Sequence, residues 1–385
     1  MRLVTFGAAV FGVWLPAVAL GQVPASIEAE LKKIGPIVDP QCTAKLYRPL
    51  MPVNDINSSA ATLYPGITIA RDVSFGPNPK DVVDIFTADK GGASRPVLIY
   101  VPGGAGNKIE QQAREGNAFY DNIARWATKN GMVGVLVQRH PGQAWDDPAK
   151  DVSLAIQWLQ AHVAQYKGNR DRMFIWAHSA GNGPVGTYLG RPELHGPKGP
   201  GVKGAVLMSG QFNILTVQPQ GAGARGAAPA AARGGPGSAG AGNPLAGAGA
   251  ACGNPEPGLI SGPSRADAPA PRGGGPGGAV AGGRGGRGGA APVDAETQLA
   301  RSTLPELKKT NVKLMLVTAE FDPGISGTHS AFNQALHDEL CKDGPAHCPT
   351  LLFAKQESHM SEVFSIDTAD KNVSGPILAW MKKIK

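Results

Sequence analysis

Ser179 lies in Ala177-His178-Ser179-Ala180-Gly181, directly after the apolar run Met173-Phe174-Ile175-Trp176. A serine bracketed by small residues, between a short apolar strand and a helix-like segment, has the form of a nucleophile elbow. The small neighbours have a steric reason. To lift its hydroxyl above a sheet the serine must occupy a tight, strained turn, where a β-carbon two residues away on either side would clash. Gly181 meets that demand fully, and Ala177 meets it with the smallest chiral residue. A hydroxyl is a weak nucleophile until a neighbouring base takes its proton, and two later segments offer the missing groups. Thr318-Ala319-Glu320-Phe321-Asp322-Pro323-Gly324 follows the apolar run 312–317 and puts a carboxylate just past a strand end, where it could orient a histidine. Asp-Pro-Gly is also an ordinary turn. His359, in Gln356-Glu357-Ser358-His359-Met360, follows the strand-like run 351–354. The chain order serine, acid, histidine and the strand-end positions agree with one another.

A fourth segment completes the chemistry. Pro102-Gly103-Gly104-Ala105-Gly106 follows the apolar stretch 96–101. A flexible loop there can turn backbone N–H groups towards the serine and, with the N–H of the residue after it, hold an oxyanion. A phosphate-binding loop would need Lys-Ser/Thr after Gly106, which is absent, and the spacing misses the dinucleotide fingerprint.

These residues need a rigid frame, and 385 residues suffice for one large α/β domain or two ordinary ones. Residues 67–73 and 82–86 look like a leading antiparallel pair. The stretches 96–101, 132–137, 173–176, 202–208, 312–317 and 350–353 are short apolar runs that predict buried strands. Residues 119–129 predict a helix stopped by Asn130-Gly131. Asp147-Pro148 opens another, with Asp as N-cap and Pro at the first helical position. Its Val152, Ala155, Ile156, Leu159 and Val163 recur at helical spacing. Continuous apolar strands alternating with amphipathic helices imply a mostly parallel sheet covered on both faces.

The pattern breaks at 217–293, which is almost all Gly, Ala and Pro with scattered arginine. Without aromatic residues it cannot bury enough surface to offset the entropy of ordering, so the sequence predicts a disordered insertion. The formal net charge of +7 owes much to Arg225, Arg233, Arg265, Arg272, Arg284 and Arg287 in this segment, and so argues poorly for nucleic-acid binding. Met1-Arg2, the apolar run 3–20 and Ala19-Leu20-Gly21 have the form of an export signal over 1–21. Pro16 and the short run count against a membrane anchor. Residues 22–62 then form an N-terminal extension and 63–385 the main domain, placed in the periplasm or outside the cell with no stable membrane span after cleavage. Four cysteines suit an oxidising compartment. Asp343-Gly344-Pro345 favours a reversal that brings Cys341 and Cys348 together as a disulfide. Zinc held by Cys341, His347 and Cys348 fits no common spacing. Cys42 and Cys252 would pair by elimination only.

Together Tyr100-Val101-Pro102-Gly103-Gly104-Ala105, Ala177-His178-Ser179-Ala180-Gly181-Asn182, Glu320-Phe321-Asp322-Pro323 and Ser358-His359 resemble the α/β-hydrolase superfamily. They are most similar to its bacterial esterase/lipase group, hormone-sensitive-lipase-like and feruloyl-esterase-like. The resemblance runs from about residue 63 to the C-terminus, the insertion excepted, and includes the helix from Asp147 through Ile156-Gln157-Trp158-Leu159. It implies the α/β-hydrolase fold and an exported serine hydrolase acting on small carboxylic esters without metal or organic cofactor. Carried over by position, Ser179 would be nucleophile, His359 the base, Asp322 its orienting acid, and the N–H groups of Gly104, Ala105 and Ala180 the oxyanion hole. Pro102, Ala105 and Asn182 depart from the family pattern of histidine, glycine and glycine. A peptidase or amidase on the same scaffold, or a hydrolase-like binding protein, are the alternatives.

Overall fold

The structure, a computed structural model, describes residues 22–52, 64–103, 117–139, 147–210, 307–322 and 329–385. The expected signal segment 1–21, the low-complexity stretch 217–293, Gly104, Ala105 and Cys252 lie outside the described residues.

Eight strands form one sheet: β1 (Ile67–Ser74), β2 (Val82–Ala88), β3 (Arg95–Val101), β4 (Val133–Val137), β5 (Gly168–His178), β6 (Gly204–Met208), β7 (Lys313–Phe321) and β8 (Thr350–Ser358). Their order is β1-β2-β4-β3-β5-β6-β7-β8. β2 pairs antiparallel with both β1 and β4, and every pair from β4 to β8 is parallel. The helices are α1 (Ala25–Ile34), α2 (Pro40–Tyr47), α3 (Asp121–Lys129), α4 (Asp147–His162), α5 (Asn182–Gly190), α6 (His329–Cys341), α7 (Ser361–Phe364) and α8 (Ser374–Lys383).

Side-chain alternation explains why the central strands are apolar throughout. Val97, Ile99 and Val101 of β3 join Ile175 and Ala177 of β5 in a core covered by Val152, Ile156 and Leu159 of α4 and Val185 of α5. Leu98, Tyr100, Phe174 and Trp176, one residue out of step, enter the opposite core. That core is closed by Leu31 of α1, Tyr47 of α2, Trp126 of α3, Phe364 of α7 and Ile377 of α8. These central strands therefore bury both faces.

The structure departs from the sequence reading in instructive places. The helix expected over 119–129 starts at Asp121, because Tyr120 has φ +70°, outside helical space. The extension over 22–62 contains α1 and α2, whose apolar faces belong to the main core. Asp39 caps α2 by accepting the Cys42 N–H at 2.9 Å, with Pro40 at the first helical position. β7 and β8 run farther than the apolar stretches, to Phe321 and Ser358. The acidic loop and His359 therefore leave directly from strand ends, on the same edge as Val101, His178 and Met208. In parallel α/β sheets this carboxyl edge is where ligands bind.

Candidate active site

β5 ends at His178, and Ser179 takes φ +51° before a short turn passes into α5. A left-handed conformation at a non-glycine residue costs on the order of 1–3 kcal/mol and persists only when its surroundings enforce it. Packing enforces it here. A β-carbon on Gly181 would stand 2.6 Å from the Val101 carbonyl oxygen and 2.8 Å from that of Pro102. The turn can therefore pass beneath the end of β3 only as glycine. Asn182, buried, donates through Nδ2 to the carbonyls of Ser179 at 2.8 Å and Met208 at 2.7 Å, tying the turn to β6.

His359 reaches this serine across the sheet edge. Its Nε2 is 2.8 Å from Ser179 Oγ, and its Nδ1 donates to Asp322 Oδ1 at 2.5 Å. Asp322 is fully buried and His359 nearly so, whereas Ser179 is partly exposed. Imidazole and carboxylate are thus shielded while the serine hydroxyl stays reachable. The two carboxylates of this segment have separate duties: Glu320 accepts the Gln356 N–H at 2.6 Å, and Asp322 holds the histidine. The irregularity between Ala319 and Phe321 separates them. Ala180 is exposed beside Ser179. Gly104 and Ala105 lie outside the described residues. The arrangement can deprotonate the serine through His359 and stabilise the resulting imidazolium through Asp322.

Residues 83–185, from β2 into α5, match the BD-FAE family model. This stretch contains Ser179 but neither Asp322 nor His359. The chain is 25% identical over 122 residues to a probable isoprenylcysteine alpha-carbonyl methylesterase, ICMEL1, of Arabidopsis thaliana, covering 29% of this chain and 23% of the other. It is 33% identical over 91 residues to the probable carboxylic ester hydrolase LipM of Mycobacterium tuberculosis, covering 22% and 19%. The chain thus spans about a fifth of the length of these relatives. A hyperthermophilic esterase from Pyrobaculum calidifontis superposes with TM-score 0.50 at 12% identity, covering 94% of this chain and 98% of the other. This likeness in fold matches the sheet order and the elbow. The chain has the α/β-hydrolase fold.

Within this fold the loop carrying His359 is held by groups the sequence does not advertise. Ser361 Oγ accepts the Ser358 N–H at 2.6 Å and donates to Glu357, while Ser361 N–H donates to Ser358 Oγ at 3.2 Å. These bonds close the turn around His359. Burial foremost, then the nearby charge of Asp370, pushes the Glu357 carboxyl well above the usual range. His178 and Glu362 complete the surroundings. Only their spacing hinted at them, one preceding the serine and the other one helical turn after His359.

Among the described residues two groups have metal-ligating types close together. In His337, Cys341 and Cys348 both sulfurs are consumed by the Cys341–Cys348 disulfide, and His337 stands where the sequence offered His347. In His178, His359 and Glu362, both ring nitrogens of His359 already engage Asp322 and Ser179. Cys42 is also disulfide-bonded. No described helix is long and apolar enough to cross a membrane.

Proposed function

We propose that this chain is a serine esterase that cleaves small carboxylic esters through an acyl-enzyme. The observation that carries the reading is the unbroken relay from Asp322 through His359 to the strained Ser179, at 2.5 and 2.8 Å. His359 Nε2 takes the Ser179 proton as Oγ attacks the ester carbonyl. The Ala180 N–H, with those expected from Gly104 and Ala105, faces the developing oxyanion. The imidazolium, held by Asp322, returns its proton to the departing alkoxide, leaving Ser179 acylated. Water, deprotonated by the same nitrogen, then releases the acid and restores the serine. Every proton in this cycle passes through His359 Nε2. The similarity to ICMEL1, a probable methylesterase, and LipM, a probable carboxylic ester hydrolase, favours esters over amides as substrates.

Export accompanies this reading, supported by the charged start and apolar run of residues 1–20 and by the Cys341–Cys348 disulfide. The deciding experiment treats the purified protein with a fluorophosphonate and maps the adduct, alongside p-nitrophenyl ester turnover. Labelling of Ser179 with loss of turnover is expected. A protein that hydrolyses esters with Ser179 unlabelled would sink the mechanism.

A further inference from the structure

His178 lies between the two loops that must meet at Ser179. Its side chain is 1% exposed, and its ring centroid is 4.8 Å from that of His359. Nε2 is 2.8 Å from the main-chain carbonyl oxygen of His359. A carbonyl oxygen can only accept, so Nε2 carries the proton and donates. The bare Nδ1 then points towards the loop that follows β3, 3.3 Å from where a β-carbon on Gly103 would stand. One rigid ring therefore spans from the root of the expected oxyanion loop to the backbone of the base. Burial, reinforced by the charge of His359, brings its pKa down to about 3, so the ring stays neutral while His359 gains and loses its proton.

Glu362 stands behind this contact, fully buried, with Oε1 3.3 Å from the same Nε2. Burial first, then the negative charge of Asp322, pushes its carboxyl well above the usual range. The titratable groups facing it are His178 on β5, Tyr100 on β3, Asp322 beyond β7 and Glu357 on β8. An anion here would be a second counter-charge beside the imidazolium, holding the proton on His359 and slowing its return to the leaving group.

We infer that His178 and Glu362 are positioning residues for the base. His178 fixes the His359 backbone through its Nε2–H and seats it against Gly103, and Glu362 fills the space behind as an uncharged group that leaves Asp322 to balance the imidazolium. This rests on the reading of Ser179 as the nucleophile of an esterase.

The test compares wild type with His178→Phe, His178→Gln, Glu362→Ala and Glu362→Gln, measuring kcat and KM for a p-nitrophenyl ester across pH. His178→Phe keeps the bulk but removes the donor, and kcat should fall about 10²-fold with KM near wild type, as for a catalytic group displaced by a fraction of its bond length. His178→Gln, whose amide can donate from a similar position, should recover most of that loss. Glu362→Ala should lower kcat and Glu362→Gln restore most of it. The acid limb of kcat/KM, which reports protonation of the base, should stay in place in Glu362→Gln. A fall of that limb by about one pH unit or more would show that an anion had been removed, and would overturn the uncharged role. Wild-type kcat in His178→Phe would overturn the positioning role. If His178→Phe does not fold, His178→Asn, whose shorter amide cannot reach the carbonyl, takes its place opposite His178→Gln. A wild-type protein inert to esters and to fluorophosphonate would sink the esterase reading instead. The inference would then be judged from the downfield Nδ1–H proton resonance of His359, which should shift in His178→Phe; an unmoved resonance would overturn it.

Discussion

Gly103 and Ser179 face each other so closely that a β-carbon on Gly103 would lie 2.7 Å from Cβ of Ser179. The same added carbon would lie 3.1 Å from the His178 carbonyl oxygen, so neither backbone nor nucleophile can give way without moving the elbow. Gly103→Ala should therefore lower kcat on a small aryl ester by about 10²-fold, the scale of a reacting group misplaced by an ångström. Paired measurements of kcat and melting temperature check this. A Gly103→Ala enzyme with full kcat would mean that the elbow tolerates displacement.

Ser179→Ala and Ser179→Gly both remove the hydroxyl, so both should lose on the order of 10⁴ to 10⁶ in kcat. They differ in one carbon held at φ +51°. Glycine occupies that region freely and alanine does not, so Ser179→Gly should be the more stable of the two by about 1 kcal/mol in denaturant unfolding. Equal midpoints would show that the elbow is not strained in solution.

The turn at Ser179 is legible in the sequence because its demands are local: small neighbours, a strand before and a helix after. The sheet is legible for a similar reason, since runs such as 96–101 and 132–137 have to be apolar on both faces. The contact of Glu320 with the Gln356 N–H is not, because it depends on the irregularity between Ala319 and Phe321, set by pairing with β8. His178 and Glu362 are equally hidden. Nothing local distinguishes a buried carboxyl behind the base from a solvated one. α2, capped by Asp39 with Pro40 at its first position, is not legible either. The low apolar content of residues 40–47 hides it.

Glu357 is fully buried, and its carboxyl is pushed up chiefly by burial and further by Asp370. A carboxyl raised in the folded state keeps its proton after the unfolded chain has lost it. Its contribution is therefore full below the ordinary carboxylate range and declines as pH rises towards the folded value. Glu357→Gln removes that proton linkage while leaving an oxygen for Ser361 Oγ to donate to. Between about pH 5 and about pH 8 the stability of wild type should fall relative to Glu357→Gln, by at most about 1.4 kcal/mol per pH unit. Urea midpoints across pH give the comparison, and parallel curves would show that Glu357 is ionised in the folded protein.

Cys341 closes α6 and Cys348 lies just before β8, at the end of that strand opposite His359. Their disulfide closes a short loop, with a separation of 7 in sequence. Replacing both cysteines by serine should cost about 2–3 kcal/mol in the chain-entropy description, with kcat nearly unchanged. Loss of activity in a folded double variant would show that the start of β8 is coupled to the His359 loop at its other end.

The low-complexity stretch lies between β6, which ends at Met208, and Leu307, where the described chain resumes. Its Gly-, Ala- and Pro-rich composition cannot supply a packed core, and the closure entropy of a flexible loop grows only logarithmically with length. Replacing residues 221–289 with a short Gly-Ser linker should therefore leave kcat on a small ester nearly unchanged, with any effect confined to KM for bulky substrates. The replacement also deletes Cys252, while Cys42 is disulfide-bonded in the intact chain. Stability must therefore be compared with that of full-length Cys42→Ser and not with wild type alone. The deletion variant should match Cys42→Ser in melting temperature, because losing that cross-link is then the one stability change they share. A deletion variant that folds like Cys42→Ser yet hydrolyses no small ester would show that residues 221–289 contribute groups to the site, against the reading of their composition.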